Sequence, residues 1–169
     1  MNRLIFFLSL TIILSGLLFI TSCDNGGRQM ENQVDDNTRQ LEFTAEVSFI
    51  KSEGDTVSTV DVAVADHNES RSEGLMNVNE LPANSGMLFI FSNNQARSFW
   101  MANTPLPLDI IFVNSDMNIV RIHRNTQPYS QESIQSEAPA QFVVEVNAGY
   151  TLEHDIREGM KIAFEGVEQ

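Results

Sequence analysis

The sequence has 169 residues, and its 23 acidic side chains outnumber the 10 basic ones to give a formal net charge of −13. A charge of this sign repels the phosphate backbone of nucleic acid and anionic lipid surfaces, so it argues against a nucleic-acid partner. Residues 41–169 are enough for one compact domain with a single core.

Residues 1–22 have the form of a lipoprotein signal peptide. Arg3 precedes an apolar stretch from Leu4 to Ile20, and small residues follow up to Cys23. The segment ITSC resembles the bacterial lipobox, in which the cysteine is lipidated and becomes the mature N-terminus. Cys23 is the only cysteine, and acylation would remove an unpaired thiol from an exported chain. An uncleaved membrane-spanning anchor is the alternative interpretation of the same stretch.

Residues 23–40 are predicted to be a lipidated cysteine followed by a flexible polar tether. The segment DNGGRQMENQVDDNTRQ has almost no large apolar side chain with which to join a core. Acyl chains such as palmitate on Cys23 are expected to anchor the mature protein to a membrane without a spanning helix. The domain is then expected in the cell envelope, in the periplasm or otherwise outside the cytoplasm.

The domain is predicted to begin with a β-hairpin and a short helix. Apolar and polar side chains alternate from Leu41 to Phe49, which indicates a strand with one wet face. The turn sequence KSEGDT separates it from a second alternation in Val60, Val62 and Val64. The segment DHNE, residues 66–69, has the form of a capping box, with an Asx N-cap and Glu three positions later. It predicts a helix over about residues 67–76.

The rest of the chain is predicted to consist of short strands and one more helix. GMLFIF, residues 86–91, is an apolar run too short for a helix and predicts a strand buried on both faces. Further strands are expected at residues 98–101, 108–114, 118–124, 141–147 and 160–164, with a short helix near 150–157. Seven or eight strands with two brief helices are typical of a mainly-β sandwich or barrel.

No metal or cofactor is expected from the sequence. The three histidines lack ligand spacing and Cys23 is assigned to lipidation, so zinc-type sites are not indicated. Met76, Met87 and Met101 could bind a soft ion such as Cu(I), but their aromatic neighbours favour a core position. Nucleophile elbows and phosphate-binding glycine loops are missing from the sequence as well.

Two acidic residues stand within apolar strands. In LDIIFV, alternation places Asp109 on the face opposite to Ile110, and in QFVVEV it places Glu145 on one face with Val143. A buried carboxylate is costly unless cations or amide donors compensate it. The two acids could also divide acid and base roles in a hydrolytic enzyme. We expect both faces to line a shared hollow in a half-open barrel.

Arg71 is the expected partner of Asp109, and residues of the turn NTPLP are expected to supply further hydrogen-bond donors to that carboxyl group. A small polar ligand, such as a sugar or a peptidoglycan fragment, is predicted to bind against an aromatic wall. The predicted site consists of Arg71, Trp100, Asn103, Thr104, Asp109 and Glu145. Two of these residues also have a structural explanation that involves no ligand. Asp109 could cap the turn or lock Arg71 against the sheet with no ligand, and Trp100 is more readily explained as a core residue.

The order of motifs resembles the domain of unknown function 192 family (DUF192). The resemblance covers about residues 45–165 and rests on the motifs RSEGLM, GMLFIF, FWMANTPLPLDIIF and VEVNAG. It implies a compact, mainly-β domain resembling a jelly roll, often behind an export signal, and it implies no activity. The family usually has Gly-Asp before the last strand, where this chain has Gly159 and Met160.

Three functions are compatible with these observations. The preferred one is a membrane-anchored module that binds a small polar ligand or an envelope component without converting it. A hydrolytic enzyme using the carboxylate pair is the second, and a structural or assembly partner with a large exposed apolar patch is the third.

Overall fold

The computed structural model describes residues 39–167, so the predicted signal peptide, Cys23 and the predicted tether up to residue 38 lie outside the described residues. Seven strands form one curled sheet that makes a half-barrel, which confirms the predicted mainly-β domain. The helices are α1 (Asn68–Glu73) and α2 (Tyr150–Glu153). The strands are β1 (Ala45–Ile50), β2 (Thr56–Ala65), β3 (Ser85–Phe99), β4 (Leu108–Val113), β5 (Ile119–Thr126), β6 (Ile134–Asn147) and β7 (Lys161–Glu165). No helix in this described range is long and apolar enough to cross a bilayer.

The strand order is β5-β4-β6-β3-β2-β1-β7. β1 and β2 form the predicted antiparallel hairpin, whereas β2 and β3 are parallel and α1 lies in the connection between them. The first and last strands of this order meet at one end, where Asn118 and Lys161 form an antiparallel bridge. There Ile119 N–H donates to the carbonyl of Met160 over 2.8 Å. This contact satisfies part of both exposed sheet edges and curls the sheet around its core.

Two hydrophobic clusters cover the two faces of the sheet. The first draws on all seven strands and on α2, with side chains such as Val47, Leu88 and Ile111, and therefore fills the concave face. The second, which includes Phe89 and Ile110, lies on the convex face under the segments that follow α1 and β3. We call these the concave core and the convex core. Because side chains alternate along a strand, neighbouring residues of one strand contribute to different cores.

The elements differ from the predictions at their ends. Residues 86–91 and 98–101 were predicted as separate strands. Instead they belong largely to one strand, β3, whose pairing with β6 shifts register between Ile90 and Gln95. Both helices are shorter than predicted. The residue that caps α1 is His67 rather than Asp66, and its N–H donates to Ser70 Oγ over 3.3 Å. Asp66 is instead within 3.0 Å of the His67 ring nitrogen Nδ1.

The close approach of β6 explains why the first residue of GMLFIF, Gly86, is a glycine. A Cβ atom at this position would lie 2.3 Å from the backbone oxygen of Glu145 and 3.1 Å from Val146 Cγ1. The first of these distances is shorter than van der Waals contact allows, so a larger residue would push β3 away from β6. Glycine therefore permits the close strand pairing that places Glu145 beside β3.

Candidate functional site

Asp109 lies in the concave core, away from the predicted ligand site. Its side chain is fully buried, at 0% exposure. Oδ1 accepts the N–H groups of Asn125 (2.8 Å) and Gly149 (3.2 Å). Oδ2 accepts both the N–H (3.0 Å) and the hydroxyl (2.6 Å) of Thr151. Four donors thus compensate the carboxyl group, and the predicted pairing of Asp109 with Arg71 is wrong.

These hydrogen bonds give Asp109 an architectural role. Asn125, at φ 50°, lies near the end of β5, and Gly149, at φ 89°, precedes α2. Left-handed backbone of this kind persists where surrounding contacts hold it. Asp109 therefore joins β4 to β5 and to the first turn of α2. It neither caps the NTPLP turn nor locks Arg71 against the sheet, which were the two structural alternatives considered from the sequence.

Arg71 holds α1 against the sheet. One of its terminal nitrogens, Nη1, donates to the carbonyls of Asp66 and Ile90, the second over 2.8 Å. Nη2 donates to Asn68 Oδ1 over 2.7 Å. The guanidinium also lies 5.3 Å from the centroid of the Phe91 ring. A guanidinium has five N–H donors, so two of them have no acceptor among residues 39–167. Arg71 forms no ion pair within that range.

A cavity of about 600 Å³ opens between α1, β3 and β6, and we call it the α1 pocket. Four of the six residues predicted for the site line it, namely Arg71, Trp100, Thr104 and Glu145. Asp109 does not, and neither does Asn103. Asn103 is exposed with φ 56°, and its carbonyl accepts the N–H of Asn77 over 2.9 Å. Its role is to join the segment after β3 to the segment after α1.

Glu145 is the buried acidic group of the α1 pocket. It is 4% exposed, and its carboxyl group receives no hydrogen bond from any described residue. Burial raises the pKa of Glu145 from 4.5 to about 8, and no neighbouring cation opposes the shift. The carboxyl group is therefore mostly protonated at neutral pH while the pocket holds no ligand.

Asp109 and Glu145 lie on opposite faces of the sheet. The register of β4 with β6 pairs Ile110 with Glu145 and Asp109 with Val146. Because directly paired residues share a face, Asp109 points into the concave core and Glu145 points away from it. One substrate cannot contact both carboxyl groups, so the predicted acid and base pair of a hydrolase is wrong.

Aromatic side chains form one wall of the α1 pocket. Phe89, Phe91 and Phe99 come from β3, and Trp100 follows it. Phe99 packs edge-on against Phe89, with ring centroids 5.1 Å apart. Trp100 is 61% exposed, so its predicted core position is wrong. Phe89 and Phe91 were missed as site residues because GMLFIF indicated only burial, although period-two alternation places both on one face.

The methionines divide between core and pocket. Met87 and Met101 are buried in the convex core, as their aromatic neighbours indicated. Met76 is half-buried and lines the α1 pocket. Across residues 39–167, no group of three or more His, Asp or Glu side chains could hold a metal ion.

The sequence matches the family model DUF192, described as an uncharacterised ACR, over residues 49–164. The chain belongs to the DUF192 family. A crystal structure from Sinorhizobium meliloti 1021, provisionally described as a transcription regulator, is similar with a TM-score of 0.70 and 32% identity. The similarity covers 76% of this chain and 100% of that one. No curated protein matches the chain.

A second solved structure supports the fold of this DUF192 domain. It is a protein of unknown function from Novosphingobium aromaticivorans DSM 12444, with a TM-score of 0.66 and 30% identity. The similarity covers 70% of this chain and 83% of that one. Met160, at the position where the resemblance implied aspartate, is buried in the concave core. The departure from the family pattern therefore lies outside the α1 pocket.

Proposed function

We propose that this DUF192 protein is a lipid-anchored module of the bacterial cell envelope that binds a small polar ligand in the α1 pocket without converting it. One observation carries the proposal: Glu145 is buried without a hydrogen-bond partner among the described residues, and it lines a cavity of about 600 Å³. That volume lies within the range of small-molecule sites, roughly 300–1,000 Å³.

The unpartnered carboxyl group has no structural function in the described fold. Among the described residues, the fully buried side-chain atom without a partner is Arg121 Nε, so the Glu145 oxygens retain some access to the α1 pocket and can be satisfied by a ligand or water there. Groups whose pKa is shifted by burial concentrate at functional sites. Asp109 differs from Glu145 in this respect, because its carboxyl group accepts four hydrogen bonds from other residues of the domain.

Arg71 and the aromatic wall supply the remaining contacts. Two N–H groups of Arg71 are available to an acceptor on the ligand, and the exposed ring of Trp100 is available to its apolar side. A sugar or a peptidoglycan fragment presents both kinds of surface. The assembly-partner alternative required an apolar patch without a pocket and is therefore less well supported.

A role in transcription, as described for the Sinorhizobium meliloti protein, is not part of the proposal. The net charge of −13 disfavours contact with a phosphate backbone, because protein–DNA affinity comes largely from basic side chains.

The binding proposal can be tested through Trp100, which is the only tryptophan in the chain. The disaccharide tetrapeptide of peptidoglycan and free N-acetylglucosamine serve as probes. We expect the first to change Trp100 emission saturably and to raise Tm, since a ligand that binds only the folded state stabilises it. Replacing Arg71 with glutamine should weaken binding by about tenfold, as expected for loss of a charged hydrogen bond.

Arg157→Gln is the matched control for that experiment, because Arg157 is exposed and does not line the α1 pocket. It should leave the affinity unchanged. Equal affinity in all three proteins, or no saturable change with either probe, would contradict binding of a peptidoglycan fragment in this pocket.

Membrane attachment is tested separately with Cys23→Ser. We expect the unaltered protein, produced in a bacterium supplied with labelled palmitate, to carry the label and to sediment with membranes. The serine variant should carry no label, because it lacks the thiol that is acylated. Label retained by the variant, or no label in the unaltered protein, would contradict the lipid anchor.

A further inference from the structure

We infer that the ligand group bound at Glu145 is an ammonium group, so that the α1 pocket takes amine-bearing ligands. This inference rests on the proposed function and specifies the chemistry of its ligand. It starts from the geometry around a single carboxyl group that the described part of the fold leaves without a donor.

The neighbours of Glu145 in the sheet cannot satisfy it. On the two strands that flank β6, the residues directly paired with it are Met87 of β3 and Ile110 of β4. Both are apolar and buried, and the backbone groups of these strands are used in the sheet. A donor for the ionised carboxyl group is therefore left to the occupant of the pocket. An ammonium group offers three donors together with a positive charge, and charge-assisted hydrogen bonds are about twice as strong as neutral ones.

The aromatic wall favours a cation in the same pocket. Ammonium groups are attracted to the faces of tryptophan and phenylalanine, and Trp100 and Phe99 line the pocket with Glu145. The net charge of −13 also attracts cationic ligands to the protein as a whole. An anionic group would instead meet a carboxyl group in apolar surroundings with no donor beside it.

Two cations lie at the Phe91 part of the pocket wall: the guanidinium groups of Arg71 from α1 and Arg97 from β3 are 5.3 Å and 3.9 Å from the centroid of that ring. The residues directly paired with Glu145 on β3 and β4 are apolar, and the acidic side chain that lines the pocket with Glu145 is Glu73 of α1. Glu73 lies 3.6 Å from Arg39 in an ion pair. Arg71 is directed to the carbonyl oxygens of Asp66 and Ile90 and to Asn68 Oδ1, and the pKa of Glu145 is raised by burial.

Binding of an ammonium group is therefore coupled to loss of the Glu145 proton to solvent. Since the pKa of Glu145 is about 8 without ligand, the apparent affinity should rise with pH and level off above about 8. The expected increase is about tenfold between pH 6 and pH 7. An alkylamine stays protonated over this range, because its pKa, like that of lysine, is about 10.4.

The test compares 2-phenylethylamine with 2-phenylethanol, which have nearly the same shape but differ in charge. Both are titrated into the full chain in detergent at pH 6, 7 and 8 while Trp100 emission is followed. We expect the amine to bind at least about tenfold more tightly than the alcohol, with the pH dependence given above. Glu145→Gln should remove both the preference and the pH dependence, and the exposed control Glu80→Gln should remove neither.

Equal affinities for the amine and the alcohol, independent of pH, would overturn the inference. The proposal that the α1 pocket binds a ligand would still be supported. Binding of the peptidoglycan fragment without binding of either small probe would also overturn it. If the fragment and both small probes fail to bind, the proposed function fails as well. If Glu145→Gln does not fold, the pH dependence of amine binding to the unaltered protein decides the question. An affinity that does not change with pH would contradict the loss of the Glu145 proton on binding.

Discussion

Replacing Asp109 with asparagine should lower the free energy of unfolding by about 3 kcal/mol, because a hydrogen bond to a charged group contributes about 1.5–3 kcal/mol and a buried N–H left without an acceptor costs about 1–3 kcal/mol. Asparagine keeps one acceptor oxygen but puts an NH₂ group where the second carboxyl oxygen stood. In either orientation that group would face a backbone N–H, from Asn125 and Gly149 on one side or from Thr151 on the other, and an N–H cannot accept its hydrogens. Urea unfolding at pH 7 measures the difference.

Asp116→Asn is the matched control for this substitution. Asp116 is exposed between β4 and β5, and its change to asparagine should shift stability by no more than about 0.5 kcal/mol. A loss below about 1 kcal/mol in Asp109→Asn would contradict the architectural role, because surface hydrogen bonds have effects of that size.

Local patterns were sufficient to predict most strands. Val47 and Phe49 face the concave core as their alternation indicated, and the first four residues of GMLFIF are buried as its apolar run indicated, whereas Ile90 and Phe91 are half-buried. The joining of residues 86–91 and 98–101 into β3 was not predictable from either segment, because the intervening residues are polar and exposed. Their pairing with β6 holds them in the sheet, and that contact is distant in sequence.

The candidate site was only partly predictable, because it depends on the register between strands. Alternation correctly divided β4 and β6 into two faces each, but it cannot decide which face of one strand matches which face of the other. The observed register pairs Ile110 with Glu145. A shift by one residue would have paired Asp109 with Glu145 and produced the predicted shared hollow.

The partner of Asp109 was mispredicted for a related reason. A search for cations suggested Arg71, whereas the carboxyl group is satisfied by backbone N–H groups and one hydroxyl. Every residue except proline carries such an N–H group, so a sequence does not reveal which of them converge on a carboxyl group. The structure nevertheless brings Arg71 and Glu145 to one pocket.

Replacing Glu145 with glutamine should stabilise the ligand-free protein at neutral pH. The unfolded chain releases the Glu145 proton near pH 4.5, while the folded protein holds it until about pH 8. Between these values the unfolded state binds fewer protons, so this group makes stability fall as pH rises. The loss reaches about 3 kcal/mol at pH 7, since one pKa unit corresponds to about 1.4 kcal/mol. Glutamine has the same shape and does not titrate, so it should abolish this loss.

The diagnostic quantity is the difference in unfolding free energy between Glu145→Gln and the unaltered protein, measured in urea from pH 4 to pH 8. It should be near zero at pH 4, where both states of the unaltered protein hold the proton, and grow with pH. The exposed control Glu80→Gln should give a difference that does not change over this range. A constant difference for Glu145→Gln would mean that its carboxyl group is ionised in the folded protein at its ordinary pKa. A donor would then have to be present beside it without ligand, which removes the reason for assigning this carboxyl group to ligand binding.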